Sequence, residues 1–424
     1  MSILIRDVSL DGRITSVYVE DNRIGEIGKR VEADTVIDGT GKAILPGLVN
    51  AHTHAAMTLF RSYADDMKLQ EWLRTKIWPA EARLTPEDVY WGTRLACLEM
   101  IKSGTTCFND MYFHMDMAAK AVQEAGLRAV LCEGFIDMKD KGRAEEELKK
   151  SKAANDKIAA LHSSRIAPAW GPHAIYTVST DSLRTLKQLS EETGYLLHMH
   201  LSETQSEVED CKAEFGKPPA RYLEDIGLLS DRCVLAHGVW LDSTEIPILA
   251  SHGAKVAHCP VSNMKLAVGR AMPYAELMRA GVPLSLGTDG ASSNNNLDMF
   301  QTLKFTALLH KFSSNNQVIA PAKEVWDMGT IGGARALGFD GGRIEEGALA
   351  DLILVDLRRV SMVPNYNLYS NLVYSASGEC VDTLICDGKI LMENRSVAGE
   401  QEIVEKASSA ARDILRRASD GTSR

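Results

Sequence analysis

The sequence predicts a (β/α)8 TIM barrel together with a small β-sandwich domain assembled from both ends of the chain. Between about residues 44 and 338, eight nearly continuous apolar segments alternate with helical segments, which is the pattern of parallel strands buried on both faces. The termini instead show short alternating strands separated by tight turns. We therefore expect a composite β domain from residues 1–45 and 340–424, and a catalytic barrel from residues 46–339.

Composition is that of an ordinary globular protein and excludes several classes of function. Of 424 residues, 45% are hydrophobic and 25% are charged, and the formal net charge is −10. That negative balance argues against nucleic acid or an anionic membrane as a partner. No apolar run approaches the roughly 20 residues of a membrane span, and no secretory signal is visible. The eight cysteines form no Cys-x-x-Cys pair, so we expect a reduced, cytoplasmic protein.

Both ends of the chain carry hairpin patterns that the middle lacks. Near the N-terminus, alternating apolar residues flank the turns Asp11-Gly12 and Asp21-Asn22. Near the C-terminus, a strand is predicted at Leu349–Asp356 and a hairpin around Asp387-Gly388. Asp-Gly between alternating runs is a strong short-range hairpin signal. The shared pattern predicts that the two ends pair into one domain.

Eight strands are predicted for the middle of the chain, with helices between most of them. The clearest helix starts at Thr85-Pro86-Glu87-Asp88, which combines a cap, a proline and an acidic residue, and ends near Ser103-Gly104. A doubly wound open sheet is the rival fold, but no Gly-x-Gly-x-x-Gly follows the first strand. The predicted strands are Gly47–His52, Thr105–Asp110, Ala129–Phe135, Arg165–Trp170, Tyr195–Leu201, Cys233–His237, Lys255–Pro260 and Val282–Thr288.

Histidines collect where these strands end. Seven of the eleven histidines lie at or just beyond predicted strand ends, which form the catalytic face of a (β/α)8 barrel. His52 and His54 stand two residues apart at the end of the first strand, so their side chains share a face. Unrelated core or surface histidines are the alternative for an isolated pair. The wider clustering favours a metal centre, because neutral imidazoles bind zinc, copper, iron or nickel.

These residues make the chain resemble the amidohydrolase superfamily over essentially its whole length. The resemblance is carried by Pro46-Gly-Leu-Val-Asn-Ala-His-Thr-His54, by His200 and His237, and by Ser285-Leu-Gly-Thr-Asp289. Within that superfamily, the chain is most similar to the branch that deaminates 5′-methylthioadenosine, S-adenosylhomocysteine and 5′-deoxyadenosine. The runs behind this closer similarity are Leu73–Glu81, His198–Thr204 and His258–Asn263.

The resemblance implies one divalent metal ion, expected to be Zn²⁺ with Fe²⁺ as the alternative, held by His52, His54, His200 and Asp289. Three nitrogens and one carboxylate oxygen leave a position for water, as in catalytic sites, and the metal would make hydroxide available near neutral pH. Trp170-Gly-Pro-His173 offers no lysine that could bridge a second metal. Taken alone, Asp289 is also typical of a turn or a helix cap.

By the same resemblance, the catalytic groups are Glu203, His237 and Asp289. His237 would orient the attacking water and help to remove its proton, although His237 alone would also suit a core position. Glu203 would protonate N1 of an adenine ring, which makes C6 electrophilic, and then carry protons to the leaving ammonia. The alternative role of Glu203 is an acidic charge at the start of a helix predicted at Glu203–Phe215.

The substrate contacts implied by the resemblance are Glu81, His173, Glu203 and Asp289. In the resembling branch, the glutamate at the position of Glu81 accepts hydrogen bonds from both ribose hydroxyls, and the histidine at the position of His173 contacts the nucleoside. In isolation, Glu81 would be a solvated loop charge. Trp72 and Trp78 are candidate walls of the base pocket, and plain packing explains them equally well.

The residues around the 5′ substituent stay open at this stage. The loop Ile136–Arg143 offers three basic side chains, which Asp137 and Asp140 partly offset. An apolar 5′ group is therefore as compatible with the sequence as a charged one.

The sequence thus predicts a hydrolase of C–N bonds in cyclic amidines that deaminates nucleosides of adenosine type with a modified 5′ carbon. The expected substrates are 5′-deoxyadenosine, 5′-methylthioadenosine, S-adenosylhomocysteine and adenosine itself, and the products are the inosine analogue and ammonia. A deaminase of free guanine or cytosine, a triazine chlorohydrolase and a non-enzymatic scaffold are the alternatives. The resemblance also implies a homotetramer that salvages by-products of S-adenosylmethionine.

Overall fold

The computed structural model describes residues 2–29 and 31–420, which form two sheets with helices around them. One sheet comes from the middle of the chain and the other from both ends. The strands are β1 Ser2–Leu10, β2 Arg13–Glu20, β3 Arg23–Ile27, β4 Thr35–Asp38, β5 Lys42–Pro46, β6 Leu48–Thr53, β7 Thr105–Tyr112, β8 Arg128–Phe135, β9 Ile166–Pro172, β10 Leu196–Leu201, β11 Cys233–His237, β12 Lys255–His258, β13 Leu284–Leu286, β14 Leu352–Asp356, β15 Val381–Cys386 and β16 Lys389–Met392.

The middle of the chain forms the predicted barrel. In the described part of the chain, its eight strands are hydrogen-bonded in the order β6 to β13, and each neighbouring pair is parallel. The two ends of this sheet meet where the Asp289 N–H donates to the His52 carbonyl oxygen at 3.0 Å. The strands are buried almost throughout, as a sheet covered on both faces requires. The predicted fold class is confirmed.

Helices connect and cover the barrel strands. The predicted helix after Thr85 is confirmed, because the Asp88 carboxylate accepts the Thr85 N–H at 2.7 Å and the Thr85 hydroxyl accepts the Asp88 N–H at 3.3 Å. The α-helices are α1 Leu69–Trp72, α2 Trp78–Glu81, α3 Pro86–Lys102, α4 Met115–Ala125, α5 Lys141–Ala159, α6 Thr180–Thr193, α7 Gln205–Phe215, α8 Pro219–Asp225, α9 Ile246–Ser251, α10 Pro260–Lys265, α11 Tyr274–Ala280, α12 Met299–Ser313, α13 Ala322–Asp327, α14 Gly333–Leu337, α15 Leu368–Tyr374 and α16 Glu400–Asp420.

Two predicted strands are shorter than expected. β12 stops at His258, because Pro260 has no N–H to donate to a sheet and instead lies in the first turn of α10. β13 is limited to Leu284–Leu286. Immediately after it, Gly287 passes so close to β6 that an added Cβ would lie 2.8 Å from the Cβ of His52. This close approach brings the loop after β13 against the histidines of β6.

One predicted helix starts later than expected. α7 begins at Gln205, and the Thr204 hydroxyl caps it by accepting the Glu207 N–H at 3.2 Å. Glu203 therefore lies before the helix and not within its first turn. It stands directly before the Thr204 cap, just beyond the end of β10 where the barrel strands stop.

Both ends of the chain pair into a mixed sheet, as the hairpin patterns predicted. Its order is β16-β15-β14-β5-β1-β2-β3, with β4 beside β1. The Ile24 N–H donates to the Ala348 carbonyl oxygen at 2.9 Å, so the β3 side of the sheet turns back onto the segment before β14. Apolar side chains from β1, β2 and β14 form a core of their own inside it.

The two sheets are joined by a buried ion-pair cluster. The Arg128 guanidinium of β8 lies 2.9 Å from the Asp351 carboxylate and 3.1 Å from that of Asp387. The unpredicted helix α16 packs on the barrel helix α3, where Arg417 lies 2.7 Å from Asp88.

No helix within residues 2–29 and 31–420 is both long and apolar enough to cross a membrane.

Candidate metal centre and active site

The structure brings the four predicted metal ligands together at the carboxyl end of the barrel strands. The His54 Nε2 and the Asp289 Oδ1 are 3.3 Å apart, and the His52 Nε2 lies 3.5 Å from the same oxygen. The Nε2 atoms of His54 and His200 are separated by 3.4 Å. Two ligands of a tetrahedral zinc ion are about 3.4 Å apart, since each bond is roughly 2.0–2.1 Å long. The spacing of these atoms fits a divalent metal ion.

Backbone carbonyls fix which ring nitrogen faces the centre in two of the histidines. The Nδ1 of His54 lies 2.6 Å from the Met111 carbonyl oxygen, and the Nδ1 of His200 lies 2.8 Å from that of His173. A carbonyl oxygen can only accept a hydrogen bond, so each Nδ1 carries the hydrogen. Each Nε2 therefore presents a lone pair to the centre, as a metal ligand must.

A second histidine, His198, fixes the tautomer of His52, so that its Nε2 also presents a lone pair to the centre. The Nδ1 of His198 donates to the Val234 carbonyl oxygen at 2.8 Å, which leaves the His198 Nε2 as an acceptor. The Nδ1 of His52 lies 2.8 Å from that nitrogen and donates to it. The His52 Nε2 is fully buried and has no hydrogen-bond partner. Such an orphaned lone pair costs free energy unless a cation binds it, so it is direct evidence that the residues fit a metal.

Burial sets the protonation states that a metal ion needs. Burial lowers the pKa of His52 to about 4 and that of His200 well below its ordinary value, so both rings are neutral at pH 7. Burial alone would raise the pKa of Asp289, yet that pKa lies well below the ordinary range, and the carboxylate accepts hydrogen bonds from the Ser262 hydroxyl at 2.6 Å and the Gly290 N–H at 2.7 Å. Neutral imidazoles and an ionised carboxylate are the forms that ligate metals.

One turn of α10 holds two further polar groups of the centre. The Ser262 hydroxyl donates to Asp289 Oδ2 at 2.6 Å, and the Asn263 side-chain amide lies 3.0 Å from the His237 Nδ1. The His237 Nε2 lies 3.9 Å from the Glu203 carboxylate. No role was predicted for Ser262 or Asn263, although both belong to the run His258–Asn263 that carries part of the resemblance. Their position against Asp289 and His237 is visible only in the fold.

A cavity of about 130 Å³ opens above the centre, and seven of the predicted site residues line it. Glu203 is half-buried there, and burial together with the negative charge of Asp289 raises its pKa to about 8. Both effects favour the protonated form of Glu203, which can act as a hydrogen-bond donor or acid. The seven residues are His54, Glu81, His173, His200, Glu203, His237 and Asp289.

Glu81 faces this cavity and not the solvent-exposed loop surface. The Tyr112 hydroxyl donates to Glu81 Oε1 at 2.8 Å. Burial raises the pKa of Glu81 to about 7, and the hydrogen bond from Tyr112 opposes that rise. Trp72 and Trp78 also line the cavity, so the predicted aromatic walls lie next to the metal site. Tyr112 was not predicted, since it lies on β7 and meets Glu81 only through the fold.

His173 is held in one orientation by its own loop. Its Nδ1 lies 2.9 Å from the Thr177 hydroxyl oxygen, and that hydroxyl donates to the Ala174 carbonyl oxygen at 3.2 Å. The His173 Nδ1 is therefore the donor, and its Nε2 is left as an acceptor. Burial lowers the pKa of His173 to about 3, which keeps the ring neutral. His173 offers the cavity an acceptor for a substrate hydroxyl or amine.

A second cavity of about 860 Å³ continues from the first past Trp78, Glu81 and His173. Basic side chains from the start of α5 and beyond line it, and two of them are already paired: Lys150 with Glu147 at 2.6 Å and Lys157 with Asp116 at 2.7 Å. The Arg143 guanidinium forms no ion pair within the described residues. The sequence placed Arg143 near this position but did not reveal Lys150 or Lys157, which lie about two and four turns further along α5.

A (β/α)8 barrel with three histidines and an aspartate at metal-binding spacing on its catalytic face defines a metal-dependent hydrolase. The chain belongs to the amidohydrolase family, whose sequence profile matches residues 43–391. This membership and the sequence similarities below confirm the resemblance and the enzyme class, a hydrolase of C–N bonds in cyclic amidines.

Individual relatives are similar over nearly the whole chain. A 5′-deoxyadenosine deaminase of Methanoregula boonei is 51% identical over 98% of this chain and 96% of its own length. A 5-methylthioadenosine/S-adenosylhomocysteine deaminase of Archaeoglobus fulgidus is 50% identical over 94% of this chain and 95% of its own. The crystal structure of an adenosine deaminase from Xanthomonas campestris with bound zinc is 34% identical, covers 98% of both chains and superposes with a TM-score of 0.92.

Proposed function

We propose that the protein is a zinc-dependent deaminase of adenosine-type nucleosides with a modified 5′ carbon. It hydrolyses the exocyclic C6–N bond of the purine and releases the inosine analogue and ammonia. The observation that carries the proposal is the position of Glu203, whose carboxyl lines the same cavity as the metal ligands His54, His200 and Asp289. The names of the two relatives that are about half identical support the same substrates.

The chemistry divides between the metal and the side chains around it. His52, His54, His200 and Asp289 would hold a divalent ion, which when bound would supply hydroxide near neutral pH. Glu203 donates its proton to N1 of the purine, which makes C6 electrophilic. The Glu203 carboxylate then takes the proton of the hydroxyl group added at C6 and passes it to the amino group, so that the C6–O double bond forms as the C6–N bond breaks and ammonia leaves.

His237 and Asp289 hold the nucleophile on the correct side of the ring. The Asn263 amide fixes the His237 ring at 3.0 Å, and Ser262 fixes the free oxygen of Asp289 at 2.6 Å. Neither group needs to move during the reaction, and such preorganised polar groups lower the barrier without a cost of reorganisation.

Glu81 selects a nucleoside over a free base. Tyr112 occupies one oxygen of its carboxylate, and the remaining lone pairs face the cavity shared by the metal centre. An ionised carboxylate accepts hydrogen bonds from two adjacent hydroxyls, such as those of ribose. A free base such as guanine or cytosine offers no such diol, and a triazine offers none either. Glu81 therefore favours the nucleoside over both alternative substrate classes.

The second cavity accommodates the 5′ substituent. It joins the first cavity at Glu81, which places it on the ribose side of the substrate. The Arg143 guanidinium, which pairs with no carboxylate within residues 2–29 and 31–420, suits the α-carboxylate of an amino-acid group, such as that of S-adenosylhomocysteine. The apolar side chains Phe113, Ile136 and Met138 on the same wall suit a methyl or methylthio group. The site thus accepts both kinds of 5′ carbon.

The proposal is tested with Glu203→Gln. The amide keeps the shape of the side chain but removes the titratable proton, so we expect kcat to fall roughly 10²- to 10⁴-fold. Metal content, measured by atomic absorption, should stay at the wild-type level because Glu203 is not a ligand. Wild-type turnover of 5′-deoxyadenosine by this variant would refute the proposed mechanism.

A further inference from the structure

Glu203 stands on a two-residue turn whose backbone N–H groups both donate to one buried carboxylate. The Ser202 N–H lies 2.8 Å from Glu207 Oε1, and the Glu203 N–H lies 2.8 Å from Glu207 Oε2. Ser202 has a positive φ of 49°, a conformation that non-glycine residues rarely adopt. Successive N–H groups around such a residue form a concave anion site, and Glu207 fills it from within the chain.

The arrangement differs from an ordinary helix cap. In a capping box, the acidic residue at the third helical position reaches back to the N–H of the capping residue. Glu207 holds that position in α7, and its N–H does bond to the Thr204 hydroxyl at 3.2 Å. Its carboxylate, however, reaches beyond Thr204 and accepts hydrogen bonds from the N–H groups of Ser202 and Glu203. The carboxylate therefore serves the turn that carries Glu203 and not the end of the helix.

The burial of the Glu207 carboxyl also costs free energy. The side chain is buried, and within residues 2–29 and 31–420 it forms no ion pair. Burial raises its pKa to about 7, while the two N–H donors oppose that rise. A buried carboxyl without a cation costs free energy unless donors satisfy it. The turn at Ser202 supplies those donors, so the two features depend on each other.

The carbonyl side of the same turn is tied to the strand end that carries His237. The Gly238 N–H donates to the Leu201 carbonyl oxygen at 2.9 Å, and the Trp240 N–H donates to that of Ser202 at 2.8 Å. The backbone that carries Glu203 is thus fixed from both sides, by Glu207 and by the segment after His237. These bonds leave the Glu203 side chain to line the cavity.

We propose that Glu207 is a positioning residue for the reaction. Its carboxylate holds the Ser202–Glu203 turn in the strained conformation that aims Glu203 at the purine ring, and it does not contact the substrate itself. The inference rests on the proposed acid role of Glu203.

A double-mutant cycle tests the inference. Glu207→Gln keeps the volume but places an amide group against two N–H donors, so the turn relaxes; we expect kcat to fall roughly 10- to 100-fold. KM and metal content should change little, because neither the ribose contact nor the metal ligands depend on the turn. The double variant with Glu203→Gln should be no slower than Glu203→Gln alone, since Glu207 acts only through Glu203.

Thr204→Ala is the matched control. It removes the cap of the same helix but leaves both bonds of the Glu207 carboxylate, so kcat should stay within about twofold of wild type. Independent, multiplicative losses in the double variant would overturn the positioning role. Loss of metal or of far-UV circular dichroism in Glu207→Gln would also overturn it, because Glu207 would then support the fold in general.

Failure of the proposed acid role of Glu203 and failure of the positioning role of Glu207 give different results. If Glu203→Gln alone keeps wild-type kcat, the proposed function of Glu203 is wrong, whatever Glu207 does. If Glu203→Gln is slow and Glu207→Gln is fully active, only the positioning role is wrong. Glu207→Asp offers a further check: its carboxylate is one methylene too short for both N–H groups, so it should also be slow although it retains the charge.

Discussion

The Nε2 of His198 accepts a hydrogen bond from the Nδ1 of His52 at 2.8 Å. The Val234 carbonyl oxygen fixes the His198 tautomer at the other end of this chain. A carbonyl oxygen of β11 thus decides, through two buried imidazoles, which nitrogen His52 presents to the metal. A ligating histidine is normally oriented by a carboxylate or a carbonyl, and here a second histidine takes that place.

The first prediction concerns this pair. His198→Phe keeps an aromatic ring of similar size but removes the acceptor, so the His52 ring is free to turn or to change tautomer. We expect metal affinity to fall roughly 10- to 100-fold, with kcat recovering at saturating Zn²⁺. Competition with a chromophoric chelator measures the affinity. An unchanged affinity would show that the His198–His52 bond does not orient the ligand.

The second prediction concerns the pH dependence of substrate binding. Because the pKa of Glu81 is raised to about 7, the ionised form that accepts the ribose hydroxyls grows as pH rises from 6 to 8. KM for 5′-deoxyadenosine should therefore fall, by up to about tenfold for a single titrating group. Steady-state kinetics on Glu81→Gln should show a higher and pH-independent KM. A parallel pH profile in both proteins would contradict the ribose role.

The third prediction concerns the 5′ substituent. Arg143→Met removes the guanidinium group from the second cavity while keeping an extended side chain. The ratio of kcat/KM for S-adenosylhomocysteine to that for 5′-deoxyadenosine should drop roughly 10- to 100-fold, as for the loss of a charged hydrogen bond of about 1.5–3 kcal/mol. Lys152→Met, on the outer surface of α5, is the control. An unchanged ratio would place the amino-acid group elsewhere.

The fourth prediction concerns the junction of the two sheets. Arg128→Met leaves the buried carboxylate of Asp351 without its cation, and removal of one partner of a buried pair costs roughly 3–5 kcal/mol. We expect a clear fall in the midpoint of chemical denaturation. Arg358→Met removes an exposed pair with Asp356 and should have little effect, since surface ion pairs contribute about 0–1 kcal/mol. Equal stability of the two variants would contradict the structural role of Arg128.

The barrel and the gathering of the histidines follow from local patterns in the sequence. Period-two spacing places His52 and His54 on one face, and the ends of parallel strands meet at one face of a barrel. Residues that contact the site residues, and not the substrate or the metal, were not predicted from the sequence. Tyr112 reaches Glu81 across 31 residues and Ser262 reaches Asp289 across 27, and no local rule relates residues so far apart. Glu207 is close to Glu203 in the sequence, but its proposed role is apparent only from the positive φ of Ser202 in the folded chain.

The helix α16 was also not predicted, although its sequence carries a signal. Ile403, Ala407, Ala410 and Ile414 recur at helical spacing and are buried against the barrel. The β character of the preceding strands made the whole C-terminal region look like part of the β domain. Its packing partner α3 lies about three hundred residues upstream, so only the fold shows where this helix belongs.

The most direct test of the account is an absorbance assay of purine deamination with metal-free and zinc-loaded protein. The substrates are adenosine, 5′-deoxyadenosine, 5′-methylthioadenosine, S-adenosylhomocysteine, guanine and cytosine. We predict that the metal-free protein is inactive, that Zn²⁺ restores turnover of the 5′-modified nucleosides, and that the free bases are not consumed. If the zinc-loaded protein turns over no adenine nucleoside, the proposed function is wrong.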